Sequence, residues 1–147
     1  MSLSMAGGTL AVMDGSSSAE ELPVTVRVLI VDDQEPFRAA ARMVVEATDG
    51  FEVVGESETA EESIELARQL QPDLVLMDVN LPGMNGLDAT RRILQEASRI
   101  VVLILSTYEP EEYAPRAAEA GAAAYIPKSA FGPERLAEAW RDATATA

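Results

Sequence analysis

An apolar run at Val26–Val31 (VRVLIV) leads directly into two adjacent aspartates, Asp32 and Asp33. A second run, Leu74–Met77, leads in the same way into a third aspartate, Asp78. Short apolar runs rich in branched side chains are typical of strands buried on both faces of a parallel sheet. Ligands of such sheets bind at the carboxyl ends of the strands. The three carboxylates are therefore expected to converge at one edge of the sheet.

Three carboxylates gathered at one sheet edge repel one another. At a separation of about 4 Å and an effective dielectric near 20, each like-charged pair costs about 4 kcal/mol. A fold that brings them together must therefore supply a cation. Oxygen ligands in small number indicate Mg²⁺, which keeps several waters and shares its coordination shell with phosphate. The pattern predicts a magnesium site suited to phosphoryl transfer.

Composition excludes several other kinds of chemistry. The 147 residues are enough for one domain with its own core, and 11 basic against 25 acidic side chains give a net charge of −14. Because nucleic-acid binding requires Lys and Arg to neutralise phosphates, this segment is not expected to bind nucleic acid. The absence of cysteine and histidine removes disulfides, thiolate or histidine metal sites and histidine general bases. Carboxylates, hydroxyls, a metal and the single lysine, Lys128, remain.

Neither a membrane span nor a signal peptide is indicated, and the expected location is cytoplasmic. No run approaches the roughly 18 apolar residues of a transmembrane helix, and the first 26 residues contain no Lys or Arg. Residues 1–22 are rich in Gly and Ser and are expected to form a flexible tail. The folded domain is expected over residues 23–143, and residues 144–147 as the start of a linker or the C-terminal end.

From Val24 onwards, apolar runs alternate with amphipathic stretches. The runs are Val26–Val31, Phe51–Gly55, Leu74–Met77, Ile100–Leu105 and Ala123–Ile126. Between and after them, apolar residues recur at helical spacing, as at Phe37, Ala41, Val44 and Val45. Five strands alternating with five helices predict a single α/β domain, a doubly wound five-stranded parallel sheet with helices on both faces.

Pro115 falls inside the stretch expected to form the fourth helix. Proline within a helix loses a hydrogen bond and clashes with the carbonyl four residues back, at about 3 kcal/mol or more. At the first helical position it costs almost nothing. The sequence therefore predicts regular helix only from about Ala114 to Ala120, preceded by an extended, mobile loop from Tyr108 to Tyr113.

Four motifs, taken in order, resemble the receiver domain of two-component response regulators, which has a flavodoxin-like (βα)5 fold. They are Leu29–Asp33 (LIVDD), Met77–Gly86 (MDVNLPGMNG), Leu105–Thr107 (LST) and Tyr125–Lys128 (YIPK). Each motif alone is weak, but their order and spacing are specific, and the match runs from about Val26 to Ala143.

Two further stretches, Leu87–Ile93 and Ser106–Tyr108, are most similar to receivers of the NarL/LuxR subfamily. Such receivers usually precede a helix-turn-helix DNA-binding domain, and this sequence stops where a linker to that domain would begin. The resemblance implies a transcriptional response regulator from which the receiver is excised, or alternatively a stand-alone receiver.

The resemblance also implies roles for the residues at the sheet edge. Asp78 would accept a phosphoryl group from a sensor histidine kinase. Asp32, Asp33 and Asp78 would hold Mg²⁺, with Asp33 favoured as a direct ligand, Asp32 acting partly through water, and the backbone carbonyl of Asn80 completing the set. Lys128 would pair with Asp78 and later with the phosphoryl oxygens, as a point charge.

Two residues would carry the conformational switch. Ser106 would donate to a phosphoryl oxygen and draw the following loop inward, whereas Thr107 would face the opposite way by strand alternation. Tyr125 aligns with the rotating aromatic residue of the family. A homodimer formed on phosphorylation is a further expectation.

Each of these residues also has a purely structural interpretation. Asp78 could cap its own loop through Asn80, and one of Asp32 and Asp33 could cap the helix that begins near Pro36. Lys128 could be an ordinary surface lysine, and the hydroxyl of Ser106 could simply bond to the backbone at the strand end. Tyr125 could be a half-buried packing residue with its hydroxyl in water.

Two alternative functions follow from the same residues. A small phosphohydrolase could use Asp78 as its nucleophile, but such enzymes usually place a second carboxylate where this chain has Asn80 and carry a cap domain. A receiver-like docking module without phosphorylation would not need the full set of aspartates and Lys128.

Overall fold

The computed structural model describes residues 24–145, in which strands and helices alternate five times. The strands are β1 (Val26–Val31), β2 (Phe51–Ser57), β3 (Leu74–Asp78), β4 (Val101–Ser106) and β5 (Ala124–Pro127). The helices are α1 (Glu35–Glu46), α2 (Ala60–Leu70), α3 (Gly86–Glu96), α4 (Pro110–Ala120) and α5 (Pro133–Thr144), with a short 3-10 helix at Lys128–Ala130. None of the helices within residues 24–145 has the length and apolar character needed to cross a membrane.

The two expected terminal segments lie at the ends of the described residues. The tail expected over residues 1–22 lies outside the described residues. Helix α5 continues to Thr144, one residue beyond the expected domain end, and residues 146 and 147 are again outside the described residues.

All five strands are parallel and lie in the order β2-β1-β3-β4-β5. This confirms both the parallel sheet expected from the alternating runs and the flavodoxin-like fold implied by the resemblance. Side chains of β3 alternate between two apolar layers, since Leu74 and Leu76 pack with α1 and α5 while Val75 and Met77 pack with α2, α3 and α4. Burial on both faces explains why the strand sequences are almost uninterrupted apolar runs.

Strand β2 extends two residues further than its apolar run indicated. Glu56 and Ser57 pair with Ile30 and Val31 of β1 although both are polar. The backbone amide of Asp32 also donates to the carbonyl of Ser57 at 3.0 Å. The end of β2 is therefore set by pairing with β1 rather than by the hydrophobicity of its own side chains.

The expectation of a late start for the fourth helix is wrong. Helix α4 is continuous from Pro110 to Ala120 and includes Pro115. The proline lies in the second turn, where its missing amide leaves only the carbonyl of Glu111 without its usual helical partner. The loss of this one hydrogen bond is outweighed by contacts that stabilise an earlier start of the helix.

Those earlier contacts surround Pro110. Proline is well suited to the first turn, and the carbonyl of Glu109 accepts from the amides of Glu112 at 3.1 Å and Tyr113 at 3.2 Å. The ring of Tyr113 stacks on that of Tyr108, with centroids 4.7 Å apart. Only residues 107–109 remain between β4 and α4.

Candidate functional site

The three aspartates converge at the carboxyl edge of the sheet. Strands β1 and β3 are neighbours whose last pair is Val31 with Met77, so Asp32 and Asp78 end up side by side. Each of Asp32, Asp33 and Asp78 offers a carboxylate oxygen within 4.8 Å of the others. Asp32 and Asp78 are 1% and 6% exposed, whereas Asp33 faces solvent. The predicted convergence of the carboxylates is confirmed.

Asp32 is held by both of its carboxylate oxygens. Oδ1 accepts from the backbone amide of Gln34 at 2.8 Å, and Oδ2 accepts from Nζ of Lys128 at 2.6 Å. The N-cap residue of α1 is Gln34 rather than either aspartate, and the side chain of Gln34 makes no capping hydrogen bond. The helix-capping interpretation of Asp32 and Asp33 is therefore wrong.

Asp78 is nearly enclosed and weakly hydrogen-bonded. Its Oδ1 accepts from the amide of Asn80 at a long 3.4 Å, so the loop-capping contact exists but is a poor one. Burial raises the pKa of Asp78 to about 6, with a further increase from Asp32 and an opposing decrease from Lys128. The carboxylates are thus too crowded and too little hydrated for easy joint ionisation.

Lys128 lies closer to Asp32 than to the expected partner, Asp78. Its Nζ is 2.6 Å from Asp32 Oδ2 and 3.7 Å from Asp78 Oδ2. The ammonium also lies 4.2 Å from the centre of the Phe37 ring, which belongs to α1. This cation–π contact favours the β1 side of the cluster. The expected ion pair with Asp78 is therefore present, and the bond of Lys128 to Asp32 is shorter.

Ser106 and Tyr125 are joined through the backbone of Tyr108. The buried Oγ of Ser106 accepts from the Tyr108 amide at 3.0 Å, and the Tyr125 hydroxyl donates to the Tyr108 carbonyl at 2.7 Å. Burial raises the pKa of Tyr125. Thr107 is exposed and lies just beyond the end of β4. The backbone-bonding alternative for Ser106 is thus realised in this conformation, while the Tyr125 hydroxyl bonds to protein.

Three residues near the cluster were not singled out as functional from the sequence. Tyr108 bridges the two switch candidates, Gly86 meets the backbone of Asp78, and Arg38 donates to the backbone of Asp32. Each of these contacts has a main-chain atom on at least one side. Main-chain contacts leave no pattern of residue types in a sequence, although the turn-forming pair Asn85-Gly86 was an available signal.

The raised pKa of Asp78 predicts how its ionisation affects stability in metal-free protein. A carboxyl whose pKa is raised by folding contributes most to the free energy of unfolding at pH values below its pKa in the unfolded chain. That contribution to stability is lost as the pH rises through its pKa in the folded protein. Between its ordinary value of 3.8 and about 6, wild type should therefore lose stability relative to Asp78→Asn. The limiting slope is about 1.4 kcal/mol per pH unit.

Urea unfolding of both proteins with EDTA, at several pH values across this window, measures the difference directly. Subtracting Asp78→Asn removes the contributions of the other titrating groups. A difference that stays constant from pH 4 to 7 would contradict a raised pKa for Asp78. Excess Mg²⁺ should reduce the slope, because a cation bound at the site favours the ionised form of Asp78 and so lowers its pKa in the folded protein.

Comparison with known proteins gives consistent matches over the described domain. The family model "Response regulator receiver domain" matches residues 28–141. Response regulator GacA of Pseudomonas viridiflava is 42% identical over 105 residues, which are 71% of this chain and 49% of the relative. Transcriptional regulatory protein DegU of Brevibacillus brevis is 35% identical, over 70% of this chain and 44% of the relative. The chain thus spans about half the length of these curated relatives.

Solved structures agree with these matches. A LuxR-family two-component response regulator from Aurantimonas superposes with a TM-score of 0.76 at 37% identity, covering 83% of this chain and 86% of that one. The receiver domain of the response regulator NarL from Mycobacterium tuberculosis superposes with a TM-score of 0.76 at 26% identity, covering 82% and 98%. The similarity to NarL and LuxR receivers expected from the sequence is confirmed.

Proposed function

This chain belongs to the response regulator receiver domain family, and we propose that it relays a signal by accepting a phosphoryl group on Asp78 from a histidine kinase. The observation that carries the proposal is the cluster of three aspartates facing Lys128. Receivers of this family are signalling domains rather than enzymes in their own right, which disfavours the phosphohydrolase alternative.

The residues of the cluster fit a magnesium ion. Their donors are oxygens only, and their carboxylates lie within 4.8 Å of one another. Burial and the neighbouring Asp32 raise the pKa of Asp78, and a bound cation would favour its ionised form. Asp33 is exposed and suited to direct ligation, whereas both oxygens of Asp32 already accept hydrogen bonds. The backbone carbonyl of Asn80 is proposed as the further ligand. A bound ion would neutralise charge on an incoming phosphoryl group.

In the proposed reaction an oxygen of Asp78 forms a bond to phosphorus while the bond from phosphorus to the kinase histidine breaks. Asp78 must be ionised to attack, and a pKa of about 6 leaves it mostly ionised at neutral pH. Lys128, 3.7 Å from Asp78, would stabilise the added negative charge on the phosphoryl oxygens.

The conformational response would pass through Ser106. Its hydroxyl is held by the Tyr108 amide, and a move towards the phosphoryl group would break that bond. Tyr108 would then shift together with the carbonyl that accepts from Tyr125. The surface that changes would comprise residues 107–109, α4 and Tyr125, which is the two-state element that phosphorylation biases.

Ser106→Ala should accept phosphate but lose most of this response. Neither the nucleophile nor a metal ligand is removed, so adduct formation should proceed. With Mg²⁺ and beryllofluoride, the amide NMR shifts of residues 107–113 should change much less than in wild type. Thr107→Ala, which removes the adjacent exposed hydroxyl, is the control and should respond normally. An unchanged response in Ser106→Ala would remove Ser106 from the switch.

The proposed function is tested by incubation with Mg²⁺ and acetyl phosphate, followed by intact mass measurement. A gain in mass of one phosphoryl group that occurs with Mg²⁺ but not in a reaction without Mg²⁺ supports the relay. Continuous release of phosphate far beyond one equivalent would support the hydrolase instead. An unchanged mass would support a docking module that is not phosphorylated.

For the whole protein we propose a cytoplasmic transcriptional regulator in which this receiver, over about residues 23–144, is followed by a DNA-binding domain. The names of relatives such as DegU support regulation of transcription, and the coverage of about half their length supports a further domain. A stand-alone receiver is the alternative. Phosphorylation would promote homodimerisation, which size-exclusion chromatography with and without beryllofluoride tests.

A further inference from the structure

Arg38 is a buried cation next to the acidic cluster. It lies on α1 and is 8% exposed, the only basic residue among those described that is buried to this degree. Nη1 donates to the backbone carbonyl of Asp32 at 2.7 Å, and Nη2 donates to Glu35 at 2.8 Å. Glu56 and Glu58 lie 3.4 and 3.7 Å from the same guanidinium.

The carbonyl that accepts from Arg38 belongs to the peptide between Asp32 and Asp33. A peptide unit is planar, so fixing the direction of its C=O also fixes the position of the next Cα atom. The carboxylate of Asp32 is fixed separately, by Gln34 and Lys128. The bond from Arg38 therefore orients the peptide that leads into Asp33, whose own side chain faces solvent. The bond from the Gln34 amide to Asp32 Oδ1 spans Asp33 and constrains the other side of its backbone.

We infer that Arg38 is a positioning residue of the acidic site, which holds the Asp32–Asp33 peptide so that the Asp33 carboxylate faces the other two. The inference rests on the proposed magnesium site. The guanidinium is rigid and forked, so Glu35 and Glu56 can hold it in place while Nη1 reaches the carbonyl. A lysine at this position would keep the charge but not the several simultaneous contacts.

If Arg38 acted only through its charge, its removal would change the Mg²⁺ affinity in the opposite direction. Removing a positive charge beside three carboxylates makes the site more negative, which favours cation binding. Loss of positioning weakens cation binding instead, because Asp33 is no longer held in place. The direction of the change in Mg²⁺ affinity therefore distinguishes the two roles.

The test measures Mg²⁺ dissociation constants by isothermal titration calorimetry, together with melting temperatures in EDTA. The variants are Arg38→Gln, which removes the charge, and Arg38→Lys, which keeps it. Arg42→Gln is the matched control, because Arg42 lies on the same helix and pairs with the same Glu56 without a hydrogen bond to Asp32. Both Arg38 variants should bind Mg²⁺ about 10- to 100-fold more weakly, and the control should bind at least as tightly as wild type.

Unchanged or tighter Mg²⁺ binding by Arg38→Gln would overturn the inference, even if its melting temperature fell, because the role would then be electrostatic or purely structural. If Arg38→Gln does not fold, Arg38→Lys decides alone, and wild-type affinity in that variant overturns the inference. Failure of wild type itself to bind Mg²⁺ is a different result, which would reject the proposed magnesium site together with any positioning of it.

Discussion

Asp78→Asn should abolish the phosphoryl adduct while raising the free energy of unfolding of the metal-free protein at neutral pH. The amide has nearly the volume of the carboxylate but cannot act as the nucleophile. It also removes one of three crowded charges from a site where Asp78 is 6% exposed and its pKa is raised to about 6. The gain in stability is at most about 3 kcal/mol, and less to the extent that solvent screens the cluster.

Intact mass after incubation with Mg²⁺ and acetyl phosphate measures the first effect, and urea unfolding with EDTA measures the second. Asp88→Asn is a suitable control, because Asp88 is an exposed aspartate on α3 that pairs with Arg91. That variant should form the adduct and show little change in stability. A full adduct on Asp78→Asn would place the phosphoacceptor elsewhere.

Gly86→Ala should be the most destabilising of these substitutions. A Cβ atom at Gly86 would lie 1.9 Å from the backbone carbonyl oxygen of Asp78, and backbone cannot yield as a flexible side chain can. The Gly86 amide also donates to the carbonyl of Val79 at 2.8 Å, which ties the start of α3 to the end of β3. The loss in stability should be about 3 kcal/mol or more, the upper range for overpacking a well-packed interior.

The same clash acts directly on the site. Pushing α3 away from β3 displaces Asp78, so any folded Gly86→Ala protein should also form the adduct more slowly. Gly132→Ala is the control, since nothing lies within 4 Å of a Cβ at Gly132 and its backbone is extended. Equal unfolding midpoints for the two variants in urea would show that the close approach at Gly86 is relieved by a small backbone shift.

The convergence of the three aspartates was predictable from the sequence because it depends on local pattern and one general rule. Residues 28–31 and 74–77 are buried on both faces, so their residue types identify them as strands of a parallel sheet. Once two parallel strands are neighbours, residues that follow them must share an edge. Asp32 and Asp78 therefore meet without any detail of side-chain packing being needed.

The start of α4 was not predictable because opposing local preferences compete there. Pro115 disfavours an early start, whereas Pro110 and the acidic first turn favour one. The stacking of Tyr113 on Tyr108 adds a contact that spacing alone does not reveal. Which start of α4 is more stable depends on the packed structure, since the helix also packs against the sheet through Ala117 and Ala120.

The sequence by itself determined the strand and helix order, the parallel sheet, and the identity of the acidic residues at its edge, because periodicity and strand ends are local properties. Only the tertiary structure decided which atoms meet there. Lys128 bonds to Asp32 across 96 residues of chain. Arg38 donates to the backbone carbonyl of Asp32, and a contact with a backbone atom cannot be predicted from the type of residue that carries it. Such contacts depend on side-chain direction and distance after packing, so they follow from the folded arrangement rather than from pattern.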